Sequence, residues 1–236
     1  MNEKGTLFLI PSPLSEAPVQ DVLPQALLDT LPKIRRYVVE EVRTARRFLS
    51  RAGLKGHIDE LAFYELNEHT DAATIEGYLT LFEDGCDVGL ISEAGLPAVA
   101  DPGAALVALC QKKGIRVHPF AGPSSLMLAL MSSGLNGQCF AFAGYLPAKT
   151  DERKQALKAL EKRSAAHRET ELFIETPYRS GALLGDLLSV CAPHTRLCLA
   201  VNLTAPDEDV RTKTIEQWKK EKTVIGKRPC VFLMLA

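Results

Sequence analysis

Short apolar runs alternate with longer amphipathic stretches along this chain, and that alternation predicts an α/β protein. Thr6–Ile10 reads as a first strand, stopped by Pro11 and Pro13. Val19–Leu28 has helical spacing, with Pro24 as a kink or boundary. Arg36–Val39 is a second strand, and a helix follows over Val42–Ala52. Asp71 is placed to cap a helix that runs to Glu83, and Gly85 ends it. Val88–Ile91 and Ile115–Pro119 are short apolar strands around a helix at Ala104–Lys113. Strand, helix and strand in repetition imply a mostly parallel sheet covered on both faces.

Beyond residue 125 the grammar changes. Leu126–Met131 is helical, Cys139–Ala143 extended, and Asp151–Arg163 a charged helix. Then come Glu171–Glu175 (strand), Arg179–Val190 (helix), Arg196–Val201 (strand), Thr214–Glu221 (helix) and Val231–Leu235 (strand). The longer connections point to a second lobe with a mixed sheet. We expect lobes of residues 1–120 and 121–236, with the boundary within 119–125.

Composition narrows the class. With 236 residues, 46% hydrophobic and 24% charged, the chain resembles an ordinary globular protein that folds without staples. A net charge of −1 argues against non-specific clinging to nucleic acid or acidic membranes, although a near-zero total can hide a local basic patch. The six cysteines are scattered without a C-x-x-C, most of them inside apolar runs, so neither a disulfide framework nor a zinc site is expected. Thr6–Ile10 is too short for a signal-peptide core, and no apolar run reaches the ~20 residues of a membrane span. A reducing cytoplasm is the expected compartment.

Candidate chemistry sits in the loops. Ser92–Gly103 carries two prolines, two glycines and two carboxylates between a strand and a helix. Open α/β sheets bind ligands at that place. Phe120-Ala-Gly-Pro-Ser-Ser125 is a second loop of the same kind, in which Ser124 and Ser125 suit either an anion or ordinary capping. The first loop, Pro11-Ser-Pro-Leu-Ser15, has no G-x-G-x-x-G, and no Walker sequence occurs anywhere, which removes support for pyrophosphate cofactors. Arg43, Arg47 and Arg51 share one helical face with Arg46 alongside, a stripe able to position phosphates or simply to face solvent. Asn67-Glu68-His69 offers a proton acceptor or ribose contacts, or else a capping turn. Glu175-Thr-Pro-Tyr-Arg179 fits ligand hydrogen bonding and an internal ion pair equally well, and Lys149–Arg163 reads as a solvated helix or a polyanion contact.

Taken in order, these pieces resemble the tetrapyrrole methylase superfamily, and within it the branch that methylates a cytidine ribose 2′-oxygen in small-subunit ribosomal RNA. The branch's S-D-A-G-T-P-x-x-S-D-P-G is similar to Ser92–Gly103, its G-P-S-A to Gly122–Ser125, and its S-G-L to Ser133–Leu135. F-x-F-x-G-F-L-P-x-K matches Phe140–Lys149 with Arg153 following, and E-S-P-H-R matches Glu175–Arg179. Departures are Ser12-Pro-Leu-Ser-Glu16 for T-P-I-G-N and Glu40-Glu-Val-Arg43 for E-D-T-R. Only Asn67-Glu68 remains of H-E-H-N-E, and Val201-Asn-Leu-Thr-Ala205 replaces R-E-L-T-K.

That resemblance implies the two-lobed tetrapyrrole-methylase fold, a homodimer without metal, and S-adenosylmethionine in a cleft between lobes. Its cofactor residues carry over to Pro13, Leu14, Gly95, Leu96, Pro97, Val99, Ser124, Ser125, Thr176 and Asn202. Glu40 and Glu68 are the expected bases. Arg43, Arg46, Arg47, Asn67, Lys149 and Arg153 are the expected contacts to ribosomal RNA or the small ribosomal subunit. The loss of basic residues after Leu203 leaves open a tetrapyrrole or protein substrate, or a non-catalytic RNA-binding or sensor protein that keeps the cofactor fold.

Overall fold

A computed structural model describes Lys4–Ala236, which divides into two compact units, the first ending at Ser124 and the second spanning Ser125–Ala236. The first unit is built on five parallel strands: β1 (Thr6–Ile10), β2 (Arg36–Val39), β3 (Ala62–Glu65), β4 (Val88–Ile91) and β5 (Arg116–Pro119). Their order is β3-β2-β4-β1-β5. From β1 the chain leaves towards β2, whereas from β4 it leaves towards β5. The tips of these adjacent strands therefore form the switch point at which a doubly wound sheet binds its ligand.

Side-chain alternation explains why both faces are covered. Ile10, Tyr37, Val39 and Ile91 pack with Leu23, Leu27, Phe48 and Leu49 from helices α1 (Val19–Val22), α2 (Gln25–Leu28) and α3 (Val42–Leu49) and their loops. Leu7, Val38, Val88 and Leu90 point the other way, onto Leu81, Phe82, Leu106 and Cys110. Those come from helix α5 (Gly103–Lys112) and the 3₁₀ turns that follow helix α4 (Ala72–Gly77). Fully buried parallel strands need apolar residues at both parities, as here.

The second unit is a mixed sheet ordered β6-β7-β10-β8-β9. Its strands are β6 (Phe140–Tyr145), β7 (Thr170–Ile174), β8 (Arg196–Val201), β9 (Asp209–Thr214) and β10 (Cys230–Leu235). Helix α6 (Ser125–Ser133) covers Leu172, Cys198, Ala200 and Leu233 on one face. Helices α7 (Thr150–His167), α8 (Ser180–Val190) and α9 (Ile215–Lys219) cover Phe173, Leu197, Leu199 and Phe232 on the other. Among the described residues no helix is long and apolar enough to cross a membrane.

Several elements differ from expectation for local reasons. The helix at Val19–Leu28 is broken into α1 and α2, because Pro24 has no N–H and sits at the N-cap of α2. The helix from Asp71 stops at Gly77 and continues as 3₁₀ turns in which Asp84 is left-handed at φ 60°. The one at Val42–Ala52 ends at Leu49 and passes into a π-turn containing Gly53 at φ 105°. Strands β3 and β9 were not expected; both are sheet edges, β3 only four residues long and β9 largely polar.

Candidate active site

Three loops converge at the tips of β1, β4 and β5. Ser12 N donates to Gly95 O at 2.8 Å and Gly95 N to Ser12 O at 3.0 Å, so the first two loops are joined by a two-bond bridge. Gly95 sits at φ +75°, a left-handed conformation that glycine adopts freely, and its missing side chain leaves room for Leu14 and the Pro123 carbonyl. A Cβ on Gly122 would stand 2.3 Å from the ring of Pro11, so the third loop reaches the first only because position 122 carries none.

The loop after β4 is strained. Ala98 and Ala100 are both left-handed, at φ 64° and 59°, and they present Val99 outward with 45% of its surface exposed. Such conformations cost about 1–2 kcal/mol each in L-residues and concentrate at functional loops. Asp101 holds the loop in place, its carboxylate accepting from Ala98 N at 2.8 Å and Gly103 N at 2.7 Å. Burial nevertheless pushes the Asp101 carboxyl above its ordinary range against those two N–H donors.

Carboxylates gather beside this loop. Glu40, at the end of β2, accepts from Glu93 N at 3.3 Å. Burial raises the Glu40 carboxyl most, with Asp101 and Glu68 adding repulsion. Glu40 borders Ser92, Asp101 and Pro102 around a narrow crevice too small for a water molecule. Glu68 lies on an open turn with 84% of its side chain exposed, 3.6 Å from the His69 ring. Asn67 is spent on that turn, its Oδ1 accepting from His69 N at 3.0 Å.

The arginine stripe splits by role. Glu41 caps α3, accepting from Arg43 N at 2.8 Å and Thr44 N at 2.6 Å, and this leaves the Arg43 side chain exposed. Arg46 turns away to pair with Asp59 and lies 5.8 Å over the Phe63 ring. Arg51 braces the first loop, donating to Ala17 O at 2.6 Å and Glu16 Oε2 at 3.1 Å. Arg47, Thr44 and Arg51 face a pocket of about 230 Å³ whose other walls are Ser12–Glu16 and Glu93–Ala94.

Sequence reasoning missed Glu93. Partial burial, then Glu40 and Glu41, raise its carboxyl, while a hydrogen bond with Thr44 and the charge of Arg47 work the other way. The available signal was its position two residues past the apolar end of β4.

The second unit holds the remaining expected residues. Ser125 opens α6. Thr176 follows β7, its carbonyl accepting from Arg179 N at 2.9 Å. Glu175 Oε1 takes Arg179 at 2.7 Å, so that motif forms an internal ion pair. Asn202 is left-handed at φ 52°, its N–H donating to Pro229 O at 2.8 Å and its amide to Asp207. Lys149 is exposed and pairs with Glu152 at 3.1 Å.

Arg153 is corrected: it is no RNA contact. The residue is buried, its Nε donates to Asp186 at 2.7 Å and its Nη1 to Ala148 O at 2.8 Å, so no phosphate can reach it. Its spacing carried the warning, for Arg153, Leu157, Leu160 and Ser164 form the buried stripe of α7.

The fold is that of the tetrapyrrole methyltransferases. The chain superposes on the crystal structure of the methyltransferase CobJ with a TM-score of 0.66 at 15% identity, covering 99% of this chain and 94% of that one. It superposes on uroporphyrin-III C-methyl transferase from Thermus thermophilus, complexed with S-adenyl homocysteine, with a TM-score of 0.59 at 14% identity, covering 98% and 97%. No family model matches the sequence.

Sequence relatives are more specific. The chain is 30% identical over 223 residues to ribosomal RNA small subunit methyltransferase I of Escherichia coli O157:H7, spanning 93% of this chain and 74% of that protein. The protein of the same name from Neisseria meningitidis serogroup B is 35% identical over 211 residues, spanning 89% and 68%. That from Halalkalibacterium halodurans is 31% identical over 229 residues, spanning 95% and 74%. The chain belongs to the ribosomal RNA small subunit methyltransferase I family.

Proposed function

We propose that this protein transfers a methyl group from S-adenosylmethionine to a ribose 2′-oxygen of small-subunit ribosomal RNA. The observation that carries the reading is its family membership, with alignments at 30–31% identity that cover 93–95% of the chain. The joined loop tips support it.

The residues present fit the cofactor. It needs close backbone approach, an apolar surface for adenine and no competing cation. Gly95 and Gly122 supply the first, Leu14 and the outward Val99 the second, and Glu40, Glu93 and Asp101 give the neighbourhood an acidic character suited to a sulfonium. Pro13, Leu14, Gly95–Pro97, Val99 and Ser124 are the residues we assign to it from the first unit, and Ser125, Thr176 and Asn202 from the second. When bound, the cofactor supplies an electrophilic methyl on a neutral leaving group. The protein's share is then orientation, worth up to roughly 7–11 kcal/mol, and removal of the hydroxyl proton.

We also assign it a homodimer. Phe142 pairs in register with Leu172, so Phe140 and Phe142 lie on the α6 face of their sheet and stay exposed there. Met127 and Met131 are exposed on α6 itself, and a patch of this kind marks a protein interface. The ribosome is met in the cytoplasm, the compartment we assign, and six unpaired cysteines support it. The test is label transfer from S-adenosylmethionine to small-subunit RNA from cells lacking the gene, followed by mapping of the ribose methyl. Absence of transfer to both free RNA and assembled subunits rejects the function.

A further inference from the structure

The pocket of about 230 Å³ beside the first loop has walls of unlike character. Arg51 is engaged with Glu16 and Ala17. Arg47 is exposed and its charge acts on Glu93, without a hydrogen bond or close ion pair among the described residues. Glu93 faces it from the loop after β4, and Leu14 and Phe48 add apolar surface. We propose that this pocket seats one nucleotide of the RNA acceptor, Arg47 holding a backbone phosphate and Glu93 receiving the proton of the ribose hydroxyl. The inference rests on the methyl-transfer reading and names the residues that would serve it.

Size and charge agree with that occupant. The cavity is below the roughly 300–1,000 Å³ usual for drug-sized ligands, so it suits one nucleotide drawn out of a strand better than a macrocycle. A guanidinium meets a phosphate with two parallel hydrogen bonds, and an ionised carboxylate can only accept, which matches a hydroxyl donor. The pocket shares Pro13 and Leu14 with the loop assigned to the cofactor, so acceptor and methyl donor meet along one wall.

Glu93 is the carboxylate with access. Glu40 is half-buried, where Glu93 is exposed, and accepts from the Glu93 backbone, which makes it a positioning residue. Glu68 is out on its turn. In the transfer, the ribose oxygen bonds to the methyl carbon while the carbon–sulfur bond breaks with its electron pair left on sulfur. The hydroxyl proton goes to Glu93 and then to water.

The experiment compares the full-length wild type with Glu93→Gln and Arg47→Ala, both at exposed positions where folding is checked by thermal unfolding. Fluorescence anisotropy with an unmethylated small-subunit RNA fragment gives Kd without cofactor, and labelled methyl transfer gives kcat against pH. Glu93→Gln should keep the RNA Kd within about twofold, lose about 10²–10⁴ in kcat and abolish the acid limb of the pH profile. Arg47→Ala should weaken RNA binding about tenfold and lower the salt slope by about one. Wild-type kcat in Glu93→Gln, or unchanged Kd in Arg47→Ala, overturns the assignment while leaving the function standing. No transfer by wild type rejects the function, and the pocket assignment falls with it.

Discussion

Ser12 and Gly95 exchange both of their backbone hydrogen bonds, 83 residues apart in sequence and one strand apart in space. The bridge is antiparallel, unlike the parallel β1–β4 pairing it follows, and it fixes against each other two loops that would otherwise wander. This arrangement depends on glycine twice, for different reasons. At 95 the backbone is left-handed; at 122 there is no space for a methyl group.

Those two reasons separate experimentally. Gly95→Ala should lose about 1–2 kcal/mol of stability through its positive φ, since the contacts near its Cβ, 3.2 Å to Leu14 and 3.5 Å to Pro123, need little adjustment. Gly122→Ala meets a rigid proline ring at 2.3 Å and must move the loop, at about 1–3 kcal/mol. Chemical denaturation gives the stabilities, and calorimetric titration with S-adenosylmethionine should show the larger loss of affinity at 122. Equal cofactor binding in both variants contradicts the role given to the third loop.

Arg153 and Asp186 form a buried ion pair between α7 and α8, with Lys154 3.7 Å from the same carboxylate. Removing Arg153 leaves the buried Asp186 carboxylate with only the part-exposed Lys154 at 3.7 Å, so the cost approaches but stays below the about 3–5 kcal/mol of a buried charge left without a partner. Arg153→Met should therefore lower the unfolding midpoint strongly while RNA affinity of the folded protein stays unchanged. A variant with wild-type stability and weakened RNA binding reverses the correction and restores Arg153 to the substrate surface.

Elements buried on both faces were the most legible in sequence. β1, β2, β4 and β8 fall on the expected residues, because uninterrupted apolar runs leave little choice of position. β9 reads Asp-Val-Arg-Thr-Lys-Thr, which has no apolar alternation; it exists because β8 offers it an open edge. The cofactor-type loops stood out by proline and glycine. Glu93 did not, since a carboxylate in a loop has no period, and only the adjacency of β2, which leads into α3, and β4 brings it opposite Arg47. Arg153 erred the other way: a motif match outweighed its place on the apolar stripe of α7.

Acid conditions should favour folding at the carboxylate cluster. Glu40, Glu93 and Asp101 all have raised pKa values, first through burial, so the native state binds their protons more readily than the unfolded chain. Between the ordinary carboxylate pKa and the raised native values, stability then falls as pH rises. Glu40→Gln keeps an oxygen to accept the Glu93 N–H and removes the charge. It should raise Tm at pH 7 and lose that advantage near pH 4, measured by calorimetric scans across this range. A Tm at pH 7 below that of wild type contradicts the sign.

Met131 tests the proposed dimer. It is 78% exposed on α6, one turn beyond Met127 and on the face that leaves Phe140 and Phe142 uncovered. A large apolar side chain left in water gains about 25 cal/mol per Å² when a partner covers it. A glutamate there would carry an unpaired charge into the contact, at a cost well above the lost methionine. Because the site is exposed, Met131→Glu should leave Tm at low protein concentration nearly unchanged. Sedimentation velocity at micromolar protein should show wild type as a dimer and Met131→Glu as a monomer, with Phe142→Asp behaving alike. A wild-type monomer throughout, or variants that remain dimeric, removes this face from the interface.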